Sequence, residues 1–131
     1  MTVDTKQAVS LELIDEITEA FNRHDVDAVM SHFADDGVFL LARGDKPWGR
    51  QLEGKAEIRT FLAKRFAEIP DMHWETTSRW SVGNRAASEW IVRATLPSGE
   101  KMEVAGCDLY QFRGDKMVRK DTYWKSIEPS I

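Results

Sequence analysis

One group of residues in this chain has the types and spacing for acid/base chemistry. The stretch Gly106-Cys-Asp-Leu-Tyr-Gln-Phe-Arg-Gly-Asp-Lys-Met-Val-Arg-Lys-Asp-Thr-Tyr-Trp124 sets a single acid, Asp108, among apolar neighbours. It turns at Arg113-Gly114-Asp115 and returns through Lys120, Thr122 and Trp124. A carboxyl group facing an apolar interior is costly unless it is paired, protonated or used. Asp108 is therefore the candidate acid/base, with Lys120 setting its charge and Tyr110 or Thr122 bonding a substrate oxygen.

Hairpin register decides the partner of Asp108. With Arg113-Gly114-Asp115 as a three-residue loop, Phe112 pairs with Lys116 and Asp108 faces Lys120, which neutralises it. With Gly114-Asp115 as a two-residue loop, Asp108 faces Asp121, and the two carboxylates share a proton. A buried structural ion pair of Asp108 with Lys120 competes with both catalytic readings, because such pairs perturb titration too.

Other polar residues point to ordinary work. Asp35-Asp36 precedes Gly37 at an expected helix end, where capping and turn formation suit it. His24 is expected in solvent, His32 near the end of a helix and His73 at the start of a strand, with no ligand set around them, so no metal site is expected. Cys107 is the only cysteine, which rules out an intramolecular disulfide, and it reads as a small apolar residue.

The elements that must position these residues are legible as patterns. Leu13, Ile14, Ile17, Ala20 and Phe21 recur at helical spacing. Asp25 is a good N-cap for a short second helix carrying Val26, Val29, Met30 and Phe33. Val38 to Leu41 reads as a strand and Ala42 to Glu53 as a loop. Gly54 opens a third helix with the stripe Ile58, Phe61, Leu62, Phe66 and Ile69, and Pro70 stops it. Strands are expected over 72–82, 85–96, 101–112 and 116–126, with turns at Gly83-Asn84 and Pro97-Ser98-Gly99. Helices first and antiparallel strands after make one α+β domain over 1–131. Around residue 107 both strand faces look apolar, with Val104, Gly106, Tyr110 and Phe112 on one and Ala105, Cys107 and Leu109 on the other. Ile91 and Tyr123 extend the second face, so a homodimer through the outer sheet face is expected.

Net charge is −4, with 31% charged and 42% hydrophobic residues. This balance argues against nucleic-acid and anionic-membrane partners. No apolar run is long enough to span a bilayer, and residues 1–7 lack a signal-peptide pattern, so the cytoplasm is the default compartment.

The order helix-helix-strand-helix and then a meander resembles the nuclear-transport-factor-2-like superfamily, in its SnoaL-like and ketosteroid-isomerase-like branch. The resemblance rests on Phe21 to Val38, Leu52-Glu-Gly-Lys-Ala-Glu-Ile-Arg-Thr-Phe-Leu62, and Asp108 to Val118 with Tyr123-Trp124. It implies a cone (a cystatin-like α+β roll), in which a curved, mainly antiparallel sheet wraps three helices around an apolar pocket, and it implies homodimers. It also favours the three-residue loop, which turns Trp124 inward and keeps Arg119 and Asp121 out. Ketosteroid isomerases pair a base on the first strand with a tyrosine on the first helix and an acid on the penultimate strand. Here those positions fall on Leu41, Ile17 and Asp108. Only the last matches, which disfavours steroid isomerisation itself.

The expected pocket is lined by Trp90 and Trp124 with Ile17, Phe21, Phe33, Leu41, Leu62, Phe66, Val104, Tyr110 and Thr122. Such walls suit a flat, mostly apolar ligand held by a few polar groups, and the Trp48 loop is placed to act as a lid. The leading expectation is a cofactor-independent isomerase, cyclase or dehydratase acting on an apolar carbonyl compound through Asp108, Lys120 and Tyr110. The alternatives are a non-catalytic homodimer that binds a hydrophobic ligand and an interaction module whose side chains fill the cone.

Overall fold

A computed structural model describes residues 9–128. Helix α1 (Leu11–Asn22) begins at Ser10, whose hydroxyl accepts the Leu13 N–H at 3.1 Å. Its apolar stripe buries Ile14, Ile17, Ala20 and Phe21. The chain leaves α1 through His24, which adopts φ 54°. Asp25 then caps α2 (Val26–Ser31), accepting the Ala28 N–H at 3.0 Å as expected.

Phe33 does not belong to α2. It opens strand β1 (Phe33–Leu40), because the His32 carbonyl accepts the Met117 N–H at 2.7 Å and sheet pairing starts there. Asp35 and Asp36 therefore cap nothing. They lie exposed within β1, where Asp36 pairs with Arg113 at 2.7 Å and Asp35 with Lys55 at 3.6 Å. The expected loop also contains a short strand, β2 (Gln51–Glu53), hydrogen-bonded to β1 with Leu40 opposite Gln51.

Helix α3 (Lys55–Glu68) follows, then β3 (His73–Val82), β4 (Arg85–Thr95), β5 (Lys101–Arg113) and β6 (Lys116–Trp124). They form one curved sheet in the order β2-β1-β6-β5-β4-β3, antiparallel except where β1 runs parallel to β6. One apolar cluster joins the helices to β1, β5 and β6, and a second surrounds Trp90, Met72, Val92 and Ala94.

Two bulges set which side chains face inward. In the β5–β6 hairpin the turn is Gly114-Asp115, with Arg113 opposite Lys116. One extra residue, Val118, is then inserted before Gln111 meets Arg119. Asp108 consequently lies opposite Thr122, and Tyr110 opposite Lys120, so neither sequence-based register holds. The inserted residue restores the alternation that the longer loop was expected to supply. Lys120, Thr122 and Trp124 share the inner face with Asp108, while Arg119, Asp121 and Tyr123 take the other. A second bulge between Thr76 and Ser78 reverses the facing of β3, so Trp74 pairs with Val92 inside and Trp80 with Ala87 outside.

On the outer face Trp80, Leu109 and Tyr123 are exposed, at 51%, 44% and 54%. Among the described residues no helix is long and apolar enough to cross a membrane.

Candidate functional site

The site is a polar network on the inner face of β4, β5 and β6. Asp108 is 5% exposed. Its Oδ1 accepts Lys120 Nζ at 2.8 Å and the Thr122 hydroxyl at 2.6 Å. Its Oδ2 accepts Trp90 Nε1 at 2.9 Å and the Tyr110 hydroxyl at 3.3 Å. Four donors thus hold one carboxylate, and the Tyr110 contact is the longest of them.

Lys120 is buried as deeply as its partner. Its Nζ also donates to Thr122 Oγ1 at 3.0 Å and lies 4.2 Å from the Phe39 ring centroid and 4.8 Å from that of Phe21. Burial pushes the Lys120 ammonium below its ordinary pKa, against the opposing pull of Asp108. Burial, and then the Asp108 charge, push the Tyr110 phenol well above its ordinary value, so it stays a donor.

Backbone features hold this network in place. Gly106 lies directly opposite Trp90. A Cβ at Gly106 would fall 2.6 Å from Trp90 Cη2 and collide with the Tyr123 carbonyl. The bare backbone therefore lets the indole lie across β5 and point Nε1 at Asp108. Trp74 is fixed from α1, because Asn22 accepts its N–H at 2.8 Å and donates to its carbonyl at 2.9 Å.

Two cavities of about 10 Å³ each flank Lys120, each roomy enough for about one water. One is walled by Phe21, Phe39, Leu41, Ala42, Leu62, Arg65, Trp74, Thr122 and Trp124. The other is walled by Thr18, Phe21, Trp74, Trp90, Asp108 and Tyr110. A larger concavity, about 880 Å³, opens between Val9 and the tip of the β5–β6 hairpin. It is an open surface groove whose ionisable lining residues, Arg113 and Asp115, are exposed.

The structure brings Asp108, Tyr110, Lys120, Phe21, Leu41, Leu62, Trp90, Thr122 and Trp124 together around these cavities. Four other expected lining residues stand back from them. Ile17, Phe33 and Phe66 pack within the main core, and Val104 packs beside Trp90 and Trp124 in the second cluster. Position 17 lies too deep on α1, and Phe33 starts a strand rather than ending a helix. Trp48 is 56% exposed and borders neither cavity. Its loop reaches the cone instead through Arg43, whose guanidinium stacks over Trp124 at 5.5 Å. His24 is not solvated either. It stacks on Phe66 at 4.5 Å and bonds the Met72 carbonyl at 2.7 Å.

Sequence reasoning missed Phe39, Trp74, Thr18 and Arg65. Arg65 had a signal, since it falls seven residues after Ile58 within the apolar stripe of α3. Burial, and then the nearby Arg43, lower its pKa to about 10. Ser88 was also missed. It is fully buried opposite Asp108, and its Oγ has no hydrogen-bond partner. Burial comes first among the causes that raise the Cys107 thiol, as befits an unreactive side chain. Among the described residues no group of three or more His, Cys, Asp and Glu side chains gathers as a metal site.

Residues 14–120 match the SnoaL-like domain family, and the chain belongs to that family. Solved structures agree on the fold. A candidate polyketide cyclase from Xanthomonas campestris pv. campestris is 21% identical, with 87% of this chain and 88% of that one covered and a TM-score of 0.77. A protein with a ketosteroid isomerase-like fold from Catenulispora acidiphila, in complex with trimethylamine, is 20% identical, with 88% and 86% covered and a TM-score of 0.75. An uncharacterised cystatin-fold protein from Novosphingobium aromaticivorans is 31% identical, with 88% and 97% covered and a TM-score of 0.66. No curated protein matches the sequence.

Proposed function

We propose that this protein is a cofactor-independent enzyme that moves a proton next to the carbonyl group of a planar, mostly apolar compound, as an isomerase, cyclase or dehydratase does. The observation that carries this reading is the Lys120 ammonium, buried between two aromatic-walled cavities and anchored by Asp108 and Thr122. Two of its three N–H groups are committed, and the third is left for a ligand oxygen. As a proton leaves the substrate carbon, negative charge grows on that oxygen beside a charge already in place. Asp108 borders the second cavity and is the proton acceptor, through Oδ2, once the long Tyr110 contact gives way. Trp90 Nε1 keeps its bond to that oxygen and holds it in line. Its family and its candidate polyketide cyclase neighbour support the same reading.

The test is exchange of α-protons into heavy water, followed by NMR, for 2-acetylnaphthalene and 1-phenylbutane-1,3-dione. Wild type is expected to catalyse exchange, and folded Asp108→Asn to lose about 10²–10⁴-fold of it. Exchange that survives in Asp108→Asn contradicts the assignment.

The cavity size favours a second reading. Cavities of about 10 Å³ and a closed network suit a filled cone with a structural ion pair. That reading expects neither exchange nor ligand-dependent tryptophan fluorescence.

The exposed residues Trp80, Leu109 and Tyr123 on the outer sheet face support a homodimer packed through that face. Sedimentation showing only monomer at micromolar concentration contradicts the dimer.

A further inference from the structure

The charges around the cone are unbalanced. Five arginines elsewhere pair with carboxylates: Arg59 with Asp27, Arg79 with Asp15, Arg93 with Glu75, Arg113 with Asp36 and Arg119 with Asp121. Among the described residues, Arg65 and Arg43 pair with no carboxylate. Their guanidinium groups rest on rings instead, Arg65 over Phe61 at 4.5 Å and Arg43 over Trp124 at 5.5 Å. Arg65 borders the same cavity as Lys120, and Arg43 stands over that cavity's Trp124 wall. Against these three cations the cone holds one acid, Asp108, already engaged by four donors.

Such an arrangement costs stability. A partly buried guanidinium with no acceptor forgoes its charge-assisted bonds, and two arginines close together repel one another. The lowered pKa of Arg65 reports both effects. An anionic group at the mouth would offset them. A carboxylate matches the planar fork of Arg65 through two parallel bonds, and the walls beside it, Leu41, Leu62 and Trp124, are apolar.

We propose that the mouth of the cone is a carboxylate-binding site, in which Arg65 and Arg43 hold the acidic end of a ligand whose apolar ring enters toward Lys120. The inference rests on the reading that the cone admits a small molecule, and it adds the ligand's charge and direction of entry.

Titration of the full chain with 2-naphthoate and its neutral counterpart 2-naphthamide, read by tryptophan fluorescence, tests it. Wild type is expected to prefer the acid by about tenfold or more, as charge-assisted bonds are the stronger class. Arg65→Met is expected to lose that preference while still binding the amide, and exposed Arg43→Gln to lose part of it. Unliganded Arg65→Met is expected to melt no lower than wild type, because an unpaired desolvated charge has gone. Arg43→Gln provides the same comparison should Arg65→Met fail to fold. Equal affinity for the two probes, or a preference that survives in both variants, overturns the proposal and leaves the small-molecule reading standing. Binding of neither probe overturns both.

Discussion

Asp108→Asn removes one negative charge and almost no volume, and it turns one acceptor oxygen into an NH2 donor, so its effect combines loss of the ion pair with loss of an acceptor for the surrounding donors. The two side chains are 6% and 7% exposed and meet at 2.8 Å, so water screens them little. Removing one partner of a buried pair costs about 3–5 kcal/mol, because the other charge is left behind. Lys120 would keep the Thr122 oxygen and two aromatic faces, which places the expected loss near the low end, about 3 kcal/mol at neutral pH. The pH dependence has a definite sign. Lys120 titrates below 10.5 in the folded protein because it is buried, and Asp108 raises it. Losing Asp108 therefore lowers the folded pKa further. Between that value and the unfolded one the unfolded chain binds more protons, so stability rises with pH. The penalty is thus largest near neutrality and shrinks toward the unfolded pKa of Lys120. Urea unfolding at two pH values, with an unchanged slope, measures it. Adding Lys120→Met to Asp108→Asn is expected to recover much of the loss, since no unpaired charge remains. A loss under about 1 kcal/mol at neutral pH, or one that grows with pH, would refute the reasoning.

Three further outcomes are expected. Gly106→Ala forces the Trp90 indole off β5, which should break its bond to Asp108, shift the tryptophan emission and cost about 1–3 kcal/mol in urea unfolding. Ser88→Ala removes a buried hydroxyl without a partner and should leave stability unchanged or raise it by about 1 kcal/mol. NMR titration of the lysine side chains should find Lys120 below its ordinary pKa and lower still in Asp108→Asn.

The helices were legible because their signals are local. Asp25 caps where a short polar side chain meets an apolar stripe, and burial of Ile14, Ile17, Ala20 and Phe21 follows from spacing alone. The ion pair was legible in its partners but not in its register. Gly114-Asp115 turns the hairpin, yet nothing about Val118 marks it as the inserted residue. A bulge is stabilised by how the whole strand packs, and that information is not local. The bulge in β3 hid Trp74 in the same way, since a regular strand would have put it on the same face as Trp80. Phe33 misled because an apolar residue after a helical stripe fits either element until its pairing with β6 is known. Arg65 was passed over because its cation reads as helix surface, although its place in the stripe already put it inward.

A crystal structure of the protein with 1-phenylbutane-1,3-dione bound tests the central claim most directly. The account expects the ring against Trp90 and Trp124 and a carbonyl oxygen about 3 Å from Lys120 Nζ. A cone closed by its own side chains in crystals soaked to saturation, with the diketone bound elsewhere, would contradict it.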